Sequence, residues 1–215
     1  MMAQKALQGA GLRILTGAVT SPTLGNALAN LKRKYPEAKF HAYEPAGRSN
    51  LHIGAELVGL KNSVPVYDFA KAKVILSLDH DFITPVSGPG SLKYARDLAN
   101  GRRVEGRTGT MNRLYVVDST ASLLGATADH RYPVTPSVIY GVALELASRL
   151  GIAGLPPGKV EGALLKDFDA IVKDLLANRG ACVVTAGEQH SPEVHAVVHL
   201  INTTLGAIGT TVNII

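Results

Sequence analysis

The stretch VILSLDHDF, residues 74–82, runs apolar and then stops at Asp79, His80 and Asp81. Two carboxylates flanking an imidazole can hold a metal ion, divide acid and base work, or form the polar lip of a buried strand. In extended backbone alternate side chains point opposite ways, so Asp79 and Asp81 can share a ligand that His80 does not reach. A metal would also need Asp118 or Asp129, brought near by the fold. The competing reading is a strand exit whose carboxylates accept turn or helix N-terminal amides, and that is the expectation.

Other chemistry-bearing residues read as weaker signals. His195 and His199 stand four apart, the spacing by which a helix offers two imidazoles to zinc, but Ala196 occupies the place where a zinc protease needs Glu. Val194, Val197, Val198 and Ile201 surround the pair, so two partly buried, hydrogen-bonded histidines are expected. Cys182, the one cysteine, opens an apolar strand and reads as inert. The glycine runs TGAVTSPTLG and SGPGS lack the spacing of a dinucleotide or nucleoside-triphosphate loop. No catalytic residue and no metal ligand is assigned.

These residues need elements to position them. Apolar runs of strand length, LRILTG (12–17), AKFHAYEP (38–45), AKVILSL, NRLYVVD (112–118), ACVVTAG and TVNII, alternate with helical patterns. Ser21 and Pro22 are a helix N-cap and first helical residue, and SVIYGVALELASRLG (137–151) and ALLKDFDAIVKDLLANRG (163–180) are amphipathic helices ending at glycine. The stretch through ADHRYPVTP reads as irregular. This alternation predicts an α/β fold, a mainly parallel, doubly wound, Rossmann-like sheet with helices on both faces. A single domain is expected over 11–215, with a main body at 11–151, a Gly/Pro-rich link at 152–162, a closing helix–strand–helix at 163–215 and a flexible start at 1–10. Ligands of such sheets sit beyond the strands' carboxyl ends. The candidate cleft is therefore Thr16, Gly17, Asp79, His80, Asp81, Asp118, Ser119, Thr120 and Gly187.

Bulk composition narrows the classes. The chain has 215 residues, 46% apolar and 18% charged, enough for a real core. A single cysteine excludes a disulfide framework and a cysteine-ligated iron–sulfur cluster. No apolar run reaches membrane-spanning length. The net charge of +5 gathers in LKRKYPEAK (31–39) and NGRRVEGR (100–107), which lack interleaved aromatics. They read as solvated surface first, as a docking face for an acidic partner second, and as a nucleic-acid site last.

Three stretches, in order, resemble the large subunits of molybdopterin-dependent oxidoreductases of the dimethyl-sulfoxide-reductase type: AKVILSLDHDF, NRLYVVDSTASLLGATADHRYPVTPS and AGEQHSPEVHAVVHLINTTLGAIG. Asp118, Ala128, Asp129, Pro133, Pro136, Asn202, Gly206 and Gly209 fall at matching places, over about residues 65–215. Asp79 and Asp81 replace the Gly and Asn that line the family's guanosine site, Ser119-Thr120 replaces Pro-Arg, and Ser137-Val138-Ile139 replaces Gly-Thr-Asp. With FHAYEP and VPVYDFAKAKVILSLD, these departures resemble the iron–sulfur/molybdopterin-like B subunit of alternative complex III. The resemblance implies a cofactor-free scaffold in a respiratory electron-transfer complex. Its implied partners are an iron–sulfur domain or other subunits of a membrane-associated complex, with no nucleic acid and no membrane span of its own. Its implied place is peripheral, on the outer side of the bacterial cytoplasmic membrane. The alternative it implies is an active oxidoreductase domain holding molybdopterin guanine dinucleotide in the cleft.

Overall fold

Ser21 and Pro22 start the first helix as their types require: the Ser21 hydroxyl accepts from the Leu24 amide at 3.3 Å, and Pro22 fills a position with no intrahelical N–H bond to lose. The computed structural model describes residues 6–45, 47–61, 63–85, 88, 90–104 and 109–215, which divide into two units, 1–48 and 49–215. The expected flexible start therefore falls partly outside the described residues, as do parts of the SGPGS turn and of the basic run 100–107. The first unit holds β1 (Arg13–Thr16), α1 (Pro22–Lys34) and β2 (Lys39–Ala42), the two strands paired in parallel.

The second unit contains α2 (Ser49–Leu57), β3 (Pro65–Tyr67), β4 (Val74–Leu78), α3 (Ser91–Gly101), β5 (Arg113–Asp118), α4 (Leu123–Thr127), β6 (His130–Pro133), α5 (Ile139–Arg149), α6 (Gly162–Ala177), β7 (Cys182–Ala186), α7 (Pro192–Thr204) and β8 (Val212–Ile214). Four strands form one parallel sheet in the order β6-β5-β4-β7, while β3 and β8 make a separate antiparallel pair. The expected mainly parallel α/β fold is present, with its strands shared among three sheets.

Both faces of the parallel sheet are covered. Val74, Leu76 and Leu78 of β4 pack with α5, α6 and α7, whereas Ile75 packs with Phe69, Phe82, Tyr94 and Leu98 on the other face. Burial on both sides is why β4 and β7 read as mostly apolar runs instead of alternating ones. The outer edge of β7 is sealed by side chains. Asn202 accepts from the Val184 amide at 3.0 Å and donates to the Val184 carbonyl at 2.7 Å, and Thr211 donates to the Cys182 carbonyl at 2.6 Å. These bonds stand where a fifth strand would pair, which removes an exposed sheet edge.

The Gly/Pro-rich link crosses α5 at close range. Lys159 donates its amide to the Gly141 carbonyl at 3.1 Å, and Gly158 lies directly on the helix backbone. Two helices also meet closely elsewhere: a β-carbon on Gly54 of α2 would lie 2.5 Å from the β-carbon of His195 on α7.

Candidate functional site

The carboxyl ends of β4, β5 and β7 open into a cleft of about 560 Å³, lined wholly by the second unit. Of the residues expected there, Asp79, His80, Asp81, Asp118, Ser119 and Thr120 line it, and Gly187 adjoins it through Glu188 and Gln189. Thr16 and Gly17 belong to the first unit, at the end of a ladder of their own. Sequence reasoning missed the wall made by Ala121, Ser122 and Leu123, and the contribution of Gln189.

The first aspartate is held tightly. Asp79 has φ +56°, a left-handed backbone that Asp tolerates better than most residues. Its carboxylate accepts from the Ser119 amide at 2.9 Å and from the Ser119 hydroxyl at 2.8 Å, and the ring Nε2 of His190 stands 3.3 Å away. Its carbonyl accepts from the Gln189 side chain at 2.8 Å. A β-carbon on Gly187 would lie 2.2 Å from that same carbonyl oxygen, so the chain's turn at Asp79 requires glycine beside it.

His80 is tied back to the sheet. Its amide and carbonyl both bond the Ser77 hydroxyl, and its Nδ1 meets the hydroxyl of Thr185. Asp81 accepts from the amides of Leu123 and Leu124 at 3.1 and 3.2 Å, opening α4. Asp118, 1% exposed, accepts from the Ser122 hydroxyl at 2.8 Å and pairs with Arg131 at 2.9 Å. Arg131 also donates to the Thr120 carbonyl at 3.0 Å, which ties the loop after β5 to β6.

This arrangement matches the strand-exit reading of SLDHDF. The three carboxylates accept hydrogen bonds from their own turn, helix and strand neighbours, as a strand exit should. Among the described residues no three metal-ligating groups cluster. Replacing Asp81 with Ala is expected to cost about 1 kcal/mol, the usual worth of a helix cap. Urea unfolding should give that difference equally with and without added divalent ions, and a loss seen only with metal would reverse the assignment.

The chemistry available is limited by geometry. Ser119 and His190 both approach the carboxylate of Asp79, which puts the acid between hydroxyl and imidazole. Nucleophilic catalysis needs the imidazole between the other two. Burial holds the His190 imidazole below its usual range, against the opposing pull of Asp79. His195, on α7, is pushed down to about 4, by burial first and then by His190 and His199. The Cys182 thiol is raised to about 11 by burial, leaving almost no thiolate at neutral pH. Asp79, Asp81, Asp118 and Glu188 give the cleft an acidic lining, with Arg131 paired to Asp118.

No protein-family model and no curated protein matches the chain. Among solved structures it is similar to a chain of the formyltransferase/hydrolase complex (FhcABCD) from Methylorubrum extorquens, determined in complex with methylofuran, with a TM-score of 0.58 and 18% identity. The likeness covers 96% of this chain and 53% of that one, so the chain spans about half the length of its neighbour. This overturns the resemblance to molybdopterin oxidoreductases and to the B subunit of alternative complex III, and with it both the respiratory scaffold and the pterin-binding alternative. The residues that carried the resemblance have local duties instead. Asp118 holds Ser122 and Arg131, Asp129 takes Arg102 at 2.8 and 3.0 Å and the Leu114 amide at 2.8 Å, and Asn202 seals β7. Among the described residues no helix is long and apolar enough to cross a membrane.

Proposed function

We propose that this chain is a non-catalytic α/β domain of a subunit in a multi-subunit assembly that transfers formyl groups. The observation that carries its non-catalytic role is the bonding of the cleft: Asp79, Asp81 and Asp118 accept from internal donors, and Asp79 stands between the Ser119 hydroxyl and the His190 imidazole, the wrong order for a proton relay. The assembly is supported by the fold shared with a chain of a formyltransferase/hydrolase complex. We read the parallel sheet as Rossmann-like and doubly wound, since each face carries its own helices. No resident redox cofactor belongs to this reading, because the acidic strand ends disfavour a nucleotide diphosphate.

Isolation of the tagged full-length protein from its host, followed by a formyl-transfer assay of whatever assembly it enters, tests both parts. Stoichiometric partner subunits and formyl transfer are expected, with Ser119→Ala leaving the rate within about twofold, whereas removal of a catalytic group costs about a hundredfold or more. A protein that runs alone, or an assembly without transfer, would refute the assembly. A hundredfold loss in Ser119→Ala would refute the non-catalytic role.

A further inference from the structure

The chain's whole net charge resides in its first unit. Residues 1–48 hold seven Lys and Arg against two Asp and Glu, which leaves fifteen of each sign in residues 49–215. The same unit is thinly packed. No residue of α1 is buried, and its last turn is Lys32, Arg33 and Lys34. Parallel strands are found almost always with both faces covered. Here the register pairs Arg13 with Lys39 and Leu15 with His41, so these four share one face of the ladder, and all four are exposed. Leu15 is 71% exposed, and Tyr43, two residues beyond His41 with its amide on the Thr16 carbonyl, is 66% exposed. The opposite face, with Ile14 and Phe40, is half-buried.

We propose that the ladder face formed by Arg13, Leu15, Lys39, His41 and Tyr43 is the surface by which this chain docks onto an acidic protein subunit. It rests on the assembly reading above for the occupant being another subunit. An apolar centre of Leu and Tyr flanked by cations has the make-up of an interface core with a charged rim. Charge complementarity selects the occupant: a unit of net +5 attached to a neutral one steers toward a surface of opposite sign.

The test uses the full chain alone and in the assembly purified from its host. Hydrogen exchange of residues 13–43 is expected to slow by about tenfold or more in the assembly, the mark of newly covered backbone. The double variant Leu15→Asp/Lys39→Glu, altered only at exposed positions, is expected to leave the assembly while melting at the wild-type temperature. Lys39→Arg alone should remain assembled. Unchanged exchange at 13–43 within an assembly that still transfers formyl groups would overturn the docking face and leave the assembly reading standing. Absence of any assembly would overturn both. Concentration-dependent dimerisation that the double variant abolishes, or tight binding of a labelled RNA oligonucleotide to the isolated chain, would replace the acidic subunit with a second copy or a nucleic acid.

Discussion

Gly158→Ala is expected to be the most damaging single-methyl change in the chain, lowering stability by about 3 kcal/mol or more. A β-carbon at this position would lie 2.0 Å from the amide nitrogen of Glu145, 2.5 Å from its α-carbon and 2.6 Å from the carbonyl oxygen of Gly141. All three atoms belong to the backbone of α5, so no side chain can swing aside to make room. Either the link lifts off the helix, losing the Lys159–Gly141 bond, or α5 shifts against the sheet. The second is resisted by Ile139, Val142, Ala143 and Leu146, all fully buried against β4, β5 and the neighbouring helices. For a chain of this size such a loss lowers the melting temperature by about 6–12 °C. Calorimetry of Gly158→Ala beside Gly151→Ala separates contact from backbone freedom. Gly151 has φ +80° with open space around its missing β-carbon, so its variant bears only the strain of a left-handed alanine. If Gly158→Ala is the milder of the two, the link does not press on α5 as described.

The same crossing shows what a sequence can and cannot carry. The Gly/Pro-rich run at 152–162 reads as a linker, and composition gives no sign that its backbone packs on a helix. Strands buried on both faces were legible, since β4, β5 and β7 appear as mostly apolar runs bounded by polar residues. β6 was not, because three of its four residues are exposed and only Tyr132 enters the core. α4 has five residues, too few for a helical period to show. Half of the cleft followed from strand ends alone: Asp79, Asp81 and Asp118 end buried strands, and such residues must meet at the carboxyl edge of a parallel sheet. Thr16 and Gly17 end a strand just as plainly, yet β1 pairs with β2 and forms its own ladder. Which strands pair depends on contacts distant in sequence, and an apolar run does not encode its neighbour. Arg131, which fixes Asp118 and the Thr120 carbonyl, lay in a stretch without period; a lone cation four residues after a short helix is too faint a signal.

The buried histidines of α7 and the turn before it should make the chain sensitive to acid in a window separate from that of its carboxylates. His195 is 3% exposed amid Val194, Val197 and Val198, with its Nε2 lacking a hydrogen-bond partner. It titrates at about 4 in the folded chain, against about 6.5 once unfolded. Between those values the unfolded chain binds the extra proton, so stability is full above about pH 6.5 and falls as the pH drops toward 4. A gap of that size corresponds to about 3 kcal/mol. His190 and His199 are lowered by burial too and act in the same direction. Asp68, Asp129 and Glu193 are held low by their partners, so their stabilising charge is lost only at lower pH, through the carboxylate range. Urea unfolding at steps from pH 7.5 to 4.5 should show the decline in the wild type and a shallower one in His195→Leu. The variant's offset at pH 7.5 reports the lost packing, while the slope reports the proton. Parallel curves for the two proteins would mean that His195 is hydrated when charged, and that the close seating of α2 on α7 at Gly54 opens in acid instead of shutting water out.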